Sequence, residues 1–131
     1  MQRRTTAAVF LMYVSFAAGA DDLPPMTPAD AVKRIGQTVR VEMRVKAAKN
    51  RLEKRGLVYL DSEDDFHSAT NLGVAITPSA AAKYRARGIA DPAVHFLGKL
   101  IRVRGEILVF ETRPYLPVTD PTQIEIVPEK K

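Results

Sequence analysis

The sequence predicts a mainly β, single-domain protein: a small five-stranded barrel with one helix between its third and fourth strands. Residues 39–47 alternate apolar and charged side chains, which is the period-two pattern of a strand with one buried face. Further strand-like apolar runs follow, and one alanine-rich segment with helix signals interrupts them after the third strand. The chain contains no cysteine, so the domain must depend on its hydrophobic core.

A short helix of two turns is predicted before the first strand. Thr27 can cap it, Pro28 suits the first helical position, and Gly36 can end it. The apolar stripe of this helix consists of Ala31, Val32 and Ile35. Because two turns are too short to be stable alone, we expect the helix to pack on the barrel.

The first strand, over residues 38–47, is longer than most strands, so we expect it to curve and to take part in two sheets. Residues 49–56 are polar, highly charged and end in glycine, which predicts a loop. The second and third strands are predicted at residues 57–60 and 72–77.

The predicted helix between strands three and four covers residues 80–87, with Thr77 and Pro78 before it and Gly88 after it. Residues 89–98 contain a proline and are expected to be irregular. In that segment the side chains expected to be buried are Val94, Phe96 and Leu97.

The fourth strand is predicted over residues 99–110, with a bulge or kink at Gly105, where the apolar pattern is interrupted. The fifth strand is predicted in two pieces, residues 114–118 and 123–127. Residues 119–122, which include Asp120 and Pro121, separate the two pieces.

The beginning of the chain has the pattern of a signal peptide over residues 1–20. Arg3 and Arg4 precede an apolar run, and Ala18-Gly19-Ala20 provides small residues for cleavage after Ala20. The run is shorter than the roughly 20 residues that a membrane-spanning helix needs, so we expect no membrane anchor after cleavage. The expected organisation is therefore a signal peptide, a proline-containing linker over residues 21–26, and the barrel domain over residues 27–131, exported to the periplasm or the extracellular space.

The net charge of the chain is mildly basic. The whole sequence carries 20 Lys and Arg against 15 Asp and Glu, a formal charge of +5. Arg3 and Arg4 are the only charged residues in the predicted signal peptide, so the mature domain would be near +3. Such a charge favours weak attraction to polyanions over strong, non-specific binding of nucleic acid.

The order of elements and four sequence segments resemble the OB-fold, in the group of small bacterial, nucleic-acid-binding-like proteins. The similar segments are IGQTVRVEMRV, GLVYLDSEDDFHSATNLGVAI, FLGKLIRVRGEI and RPYLPVTDPTQIEIV. Together they extend over residues 35–127, nearly all of the predicted mature chain. The resemblance implies a five-stranded, partly open barrel. It supplies no catalytic signature, so it implies a fold and not an activity.

A basic set on the first strand and the loop after it is the first candidate binding site. Its members are Arg40, Arg44, Lys46, Lys49, Arg51, Lys54 and Arg55. In nucleic-acid-binding OB-folds, this loop and strands two and three form the groove, and cations there can contact phosphates. Tyr59 on strand two is the best-placed aromatic platform for a base, and Phe66, Phe110 and Tyr115 are further candidates. The alternative is that these cations form a solvated face that prevents edge-to-edge aggregation.

An acidic segment after strand two is a second, weaker candidate. Its potential metal ligands are Asp61, Glu63, Asp64, Asp65 and His67. Carboxylates alone could bind calcium, and His67 would favour a transition metal. The spacing differs from that of an EF-hand, and acidic residues after a strand also act as ordinary turn formers.

Hydrolytic chemistry is not supported by a recognisable motif. Ser62, Ser68 and Ser79 could be combined with His67 or His95, but the sequence has no G-x-S-x-G elbow. The sequence therefore predicts an exported, non-catalytic OB-fold binding module without a cofactor. Its expected partner is a polyanion, either single-stranded nucleic acid or an acidic polysaccharide. A protein partner in the cell envelope and, more remotely, a metal-dependent hydrolase or nuclease on the same scaffold are the alternatives.

Overall fold

The computed structural model describes residues 23–129, and in this range the chain is mainly β, with eight strands in two sheets. The predicted signal peptide and the first two residues of the linker lie outside the described residues. The strands are β1 (Thr38–Arg44), β2 (Ala47–Arg51), β3 (Leu57–Asp61), β4 (Gly73–Ile76), β5 (Leu100–Glu106), β6 (Leu108–Phe110), β7 (Arg113–Val118) and β8 (Ile124–Ile126). The helices are α1 (Pro28–Ala31), α2 (Leu52–Arg55), α3 (Pro78–Ala86) and α4 (Pro92–Phe96), with a 3-10 turn at Pro121–Gln123.

The two sheets have different sizes and strand orders. The three-stranded sheet has the order β1-β5-β8, and all of its pairs are antiparallel. The five-stranded sheet has the order β2-β3-β4-β7-β6, in which only β4 and β7 are parallel. Residues 23–129 hold no helix with the length and apolar content that crossing a bilayer requires.

The chain passes from one sheet to the other at two corners. Residues 45 and 46 separate β1 from β2, and Ile107 separates β5 from β6. The predicted first strand, over residues 38–47, is therefore divided: β1 belongs to the three-stranded sheet, and β2, which begins at Ala47, belongs to the five-stranded sheet. The interruption predicted at Gly105 falls at Ile107, two residues later, because β5 continues to Glu106.

The core lies between the inner faces of the two sheets. Alternate residues of the strands supply it, including Val41 on β1, Leu60 on β3, Ile101 on β5 and Leu116 on β7, which are all fully buried. The residues between them therefore point outward, because successive side chains of a strand lie on opposite faces. These outward-facing side chains make up the two surfaces compared below.

Three predictions about helices and loops are corrected. Helix α1 ends at Ala31, so Ile35 lies outside it and is exposed, although Thr27 caps the helix as expected. The predicted loop 49–56 is wrong, because β2 continues to Arg51 and α2 follows it directly. The predicted irregular segment 89–98 contains α4, which leaves Val94 and Leu97 exposed and buries Phe96.

The alanine-rich helix between the third and fourth predicted strands is confirmed as α3. The Thr77 hydroxyl accepts a hydrogen bond from the amide of Ala80, and Pro78 occupies the first turn. Tyr84 on this helix packs edge-on against Phe96 of α4, with 5.6 Å between the ring centroids. The two helices, which follow one another between β4 and β5 in the chain, therefore pack against each other.

Candidate nucleic-acid interface

The outer face of the five-stranded sheet carries aromatic and basic side chains at matching positions. Val58 and Leu60 are buried, so Tyr59 between them points outward. Lys49 of β2 is directly opposite Tyr59. Directly opposed residues in a sheet point to the same side and have neighbouring side chains. Lys49 and Tyr59 thus form an outward-facing pair.

A second group on the same outer face comes from the β6–β7 hairpin. Leu116 is buried, so Tyr115 and Arg113 point outward, and Phe110 of β6 is directly opposite Arg113. Phe110 is 65% exposed. The hairpin turn consists of Glu111 and Thr112, both with positive φ, which is the backbone form of a tight two-residue hairpin.

Phe66 connects the two groups. The Lys49 Nζ lies 4.7 Å from the centroid of the Phe66 ring, and the Arg113 Cζ lies 4.8 Å from it. Each is within the range of a cation–π interaction. Phe66 therefore lies on the outer face of the sheet, between a cation of β2 and a cation of β7. We call the set Lys49, Tyr59, Phe66, Phe110, Arg113 and Tyr115 the aromatic face.

The loop that carries Phe66 is anchored at its base by buried polar contacts. Asn71 donates a side-chain hydrogen bond to the Asp61 carboxylate, at 3.2 Å, and its carbonyl oxygen accepts from the backbone amide of Glu63, at 2.9 Å. The Ser62 hydroxyl accepts from the amide of Leu72. Burial raises the pKa of Asp61, although the bond from Asn71 opposes this rise. These contacts fix the two ends of the loop relative to β3 and β4.

Three predicted cations lie beyond the end of β2. Arg51 ends β2, and Lys54 and Arg55 belong to α2. All three are exposed, and the ion pairs of residues 23–129 include none of them. Their charges therefore lie beyond Lys49, on a strand end and a helix and not on the predicted loop.

Two predicted cations lie on the other sheet, which corrects the expectation of one basic set. Arg40 and Arg44 point outward from β1, in the three-stranded sheet. Arg40 forms an ion pair of 3.0 Å with Glu125, and Arg44 is bonded through both terminal nitrogens to Glu129. The bond to Glu129 raises the pKa of Arg44, and the same bond lowers the pKa of Glu129.

The outer face of the three-stranded sheet carries charges of both signs. We call it the paired-charge face, and its members are Arg40, Glu42, Arg44, Arg102, Arg104 and Glu125. Arg102 contacts Glu42 at 2.8 Å. Lys46 belongs to neither face: it lies at the corner between β1 and β2, with its Nζ 4.0 Å from a Glu63 oxygen.

The acidic segment does not form a single ligand set. Asp61 is buried against Asn71, Glu63 accepts from the Thr70 hydroxyl, and Asp65 accepts from the amide and the ring of His67. The bond from the His67 amide is the main cause of the lowered pKa of Asp65. Across residues 23–129, no three His, Asp or Glu side chains are grouped so that they could hold a metal ion.

Sequence reasoning missed Arg113. It lies between the predicted fourth and fifth strands, whereas in the structure it begins β7 and contacts Phe66. The available signal was its position directly after the hairpin turn and opposite an aromatic residue, which places it on the same face as Tyr115. The sequence does indicate Phe66, Phe110 and Tyr115 as possible platforms for bases, but it does not predict that they lie on one surface.

Comparison with solved structures identifies the fold. The chain is similar to part of the aspartyl-tRNA synthetase from Entamoeba histolytica, with a TM-score of 0.53 and 16% identity, over 79% of this chain and 21% of the synthetase. It is also similar to OBody AM1L10, solved bound to hen egg-white lysozyme, with a TM-score of 0.53 and 14% identity, over 81% of this chain and 97% of the OBody. These similarities show an OB-like fold.

A third similar structure is the Stn1–Ten1 complex of S. pombe, with a TM-score of 0.48 and 17% identity, over 70% of this chain and 59% of that one. This chain spans only about a fifth of the synthetase, so the activity of that whole enzyme does not transfer to it. No protein-family model and no curated protein matches the sequence.

Proposed function

We propose that this protein binds single-stranded nucleic acid on the aromatic face. The observation that carries the proposal is the position of the Phe66 ring between Lys49 and Arg113, at 4.7 and 4.8 Å. Proteins that bind single strands combine aromatic platforms, on which bases stack, with cations that contact the phosphates. The aromatic face supplies both kinds of side chain within one surface.

The aromatic side chains favour nucleic acid over an acidic polysaccharide. Cations alone would suit either polyanion, because both attract positive charge. Tyr59, Phe66, Phe110 and Tyr115 add flat ring surfaces, and only a nucleic acid among these ligands carries bases that can stack on them. Three of the rings are next to a cation: Phe66 contacts Lys49 and Arg113, Tyr59 is opposite Lys49, and Phe110 is opposite Arg113.

We also propose that the two sheets form a five-stranded OB barrel. We take β1 with β2, β3, β4, β5 with β6, and β7 as the five strands of an OB barrel, with α3 as its helix. In support, the segments β1–β2 and β5–β6 each pass from one sheet to the other, and β3 and β4 follow β1–β2 in the order expected of strands two and three. In nucleic-acid-binding OB-folds those strands carry the binding groove.

We further propose that the protein is exported and non-catalytic. The export proposal is supported by Arg3 and Arg4, the apolar run after them and the small residues before Asp21. The non-catalytic proposal is supported by the exposed positions of Asp65 and His67, which contact each other in a turn and not in a pocket. A protein partner is a second candidate, because Val109 and Phe110 expose apolar surface on the hairpin.

The test is the salt dependence of binding to a fluorescent oligothymidylate, measured by anisotropy. For single strands, log Kobs falls with log salt by about 0.7 for each phosphate contact. We therefore expect the Lys49→Gln/Arg113→Gln double variant to bind more weakly and to have a slope flatter by roughly 1.4.

The matched control is Arg44→Gln/Arg85→Gln, which removes the same number of charges from β1 and from the last turn of α3, where Arg85 is exposed. We expect its affinity and slope to stay within about twofold of the wild type, since those cations contact no phosphate in this proposal. Equal losses in both double variants would show that only net charge matters. Undetectable binding by the wild type at low salt would overturn the proposal and favour a protein partner.

A further inference from the structure

The paired-charge face contains a hollow of about 210 Å³. The residues that line it are Arg40, Arg102, Arg104, Thr122, Gln123 and Glu125. Three of them are arginines and one is a carboxylate, so positive charge dominates the lining. The hollow lies on the opposite sheet from the aromatic face.

Two of the arginines are held directly opposite each other. Arg40 of β1 is the register partner of Arg104 of β5. Like charges in directly opposed positions destabilise a sheet. The Glu125 carboxylate contacts Arg40 at 3.0 Å, and the Arg104 Nη1 donates to the backbone carbonyl of Thr122. The register therefore brings both guanidinium groups to the same hollow.

The third arginine, Arg102, has N–H groups available to donate hydrogen bonds. Arg102 lies between Glu42 of β1 and Glu125 of β8 in the sheet register. It bonds to Glu42 through its Nε at 2.8 Å, whereas a guanidinium group has five N–H donors. Within the described chain this is the one bond that the Arg102 side chain makes. Its terminal nitrogens can therefore donate to a bound oxoanion.

The wall of the hollow is held in place by hydrogen bonds. The Gln123 side-chain nitrogen donates to the carbonyls of Arg104 and Pro117, at 3.0 and 3.1 Å. Its side-chain oxygen accepts from the amides of Thr119 and Asp120, at 2.8 and 3.1 Å. The 3-10 turn that carries Thr122 is thus fixed against β5 and β7, which limits the rearrangement that a ligand would require.

We propose that this hollow binds a dianionic phosphate, either inorganic phosphate or the terminal phosphate of a larger molecule. Arginine pairs bind phosphate through parallel N–H···O bonds, and a terminal phosphate offers more free oxygens than a phosphodiester. Arg102 and Arg104 approach from β5, and Arg40 approaches from β1. Glu125 limits the affinity because its carboxylate repels the ligand.

The first experiment titrates inorganic phosphate into the protein at constant ionic strength and follows the arginine Nε–H signals by NMR. We expect saturable shifts of the Arg102 and Arg104 signals and little change at Arg44. The Arg102→Gln/Arg104→Gln variant should bind at least about tenfold more weakly, because it loses two guanidinium partners. Arg44→Gln should bind as the wild type does. Absence of saturable binding at millimolar phosphate would overturn the proposal.

A variant that is expected to bind phosphate more tightly excludes a folding defect as the explanation for weaker binding by the arginine variant. Glu125→Gln removes the lining carboxylate, so we expect it to bind phosphate more tightly than the wild type. Weaker or unchanged binding would contradict the assigned geometry. A 5′-phosphorylated oligonucleotide and its 5′-hydroxyl counterpart distinguish the sources: a shift of the Arg102 signal by the first alone identifies a terminal phosphate, and a shift by inorganic phosphate alone identifies the free ion.

Discussion

The outer faces of the two sheets both carry cations, but the cations have different partners. On the aromatic face, Lys49 and Arg113 contact the Phe66 ring. On the paired-charge face, Arg40 and Arg102 contact carboxylates, at 3.0 and 2.8 Å. A ring leaves the charge of its cation uncompensated, whereas a carboxylate neutralises it. The two cations of the aromatic face therefore suit the proposed binding of a long polyanion, whereas three of the four cations of the paired-charge face line a local, partly neutralised hollow.

The largest expected difference between the faces concerns stacking. Loss of one stacked base costs roughly 1–3 kcal/mol, so we expect Tyr59→Ala to weaken oligothymidylate binding by roughly 5- to 150-fold. Tyr59→Phe keeps the ring and should bind within about twofold of the wild type. If both variants lose affinity equally, the hydroxyl group and not the ring makes the contact.

The next effect concerns Gly105, which lies near the corner where the chain leaves the three-stranded sheet. A Cβ atom at this position would lie 2.8 Å from the Leu116 Cδ2 and 3.2 Å from the Gln123 Nε2. Overpacking of this kind costs about 1–3 kcal/mol, so we expect Gly105→Ala to lower the free energy of unfolding in urea by that amount.

The matched control for Gly105 is a double-mutant cycle with Leu116→Val, which shortens the side chain that the new methyl group would meet. We expect the two changes together to cost less than the sum of the single changes, since residues in contact are not additive. Full additivity would place the strain elsewhere than at Leu116.

Asp61, at the base of the Phe66 loop, and Glu129, the partner of Arg44, should give pH dependences of opposite direction. Burial raises the pKa of Asp61, so Asp61 contributes stability that is present below its unfolded pKa and lost as pH rises through its folded pKa. The bond to Arg44 lowers the pKa of Glu129, so Glu129 contributes stability that is present above its unfolded pKa and lost as pH falls through its folded pKa.

Thermal unfolding across pH 3 to 7 checks this contrast in two single variants. The melting temperature of Asp61→Asn, relative to that of the wild type, should increase as pH rises. The side-chain amide avoids a buried charge, and its oxygen can still accept a hydrogen bond from Asn71. The melting temperature of Glu129→Gln, relative to that of the wild type, should decrease over the same pH range. Identical pH profiles for the two variants would contradict the assigned environments.

The smallest expected effect is that of the exposed ion pair between Arg40 and Glu125. Exposed pairs of this kind contribute about 0.2–1 kcal/mol. A double-mutant cycle with Arg40→Gln and Glu125→Gln, measured by urea unfolding, should give a coupling in that range that shrinks at high salt. A coupling well above it, or one that salt leaves unchanged, would show that the pair is more strongly desolvated than its geometry indicates.

Much of the fold could be predicted from local patterns. The alternation of residues 39–47 identified the first strand, and Thr77 with Pro78 identified the start of α3, because both signals depend on neighbouring residues only. The extent of β2 was harder to predict. Residues 49–51 are exposed and polar, and their strand conformation comes from pairing with β3, which is a tertiary contact. The same applies to α4, whose burial of Phe96 depends on α3.

The candidate site was predicted only in part. Lys49 and Tyr59 are together because adjacent antiparallel strands place them opposite each other, which strand order alone can suggest. Arg40 and Arg44 were grouped with them because the sequence shows one long strand, but the chain changes sheets at residues 45 and 46, so the two arginines face elsewhere. The contact of Arg113 with Phe66 joins segments 47 residues apart, and no local pattern encodes it.

NMR mapping of the binding surface with a short 5′-hydroxyl oligothymidylate, which has no terminal phosphate, shows directly which face binds a single strand. We expect the largest shifts on β2, β3 and β7, around Lys49, Tyr59 and Tyr115, with small changes around Arg40 and Arg44 on β1. Shifts concentrated on β1 and β8, with the aromatic face unchanged, would contradict the proposed function.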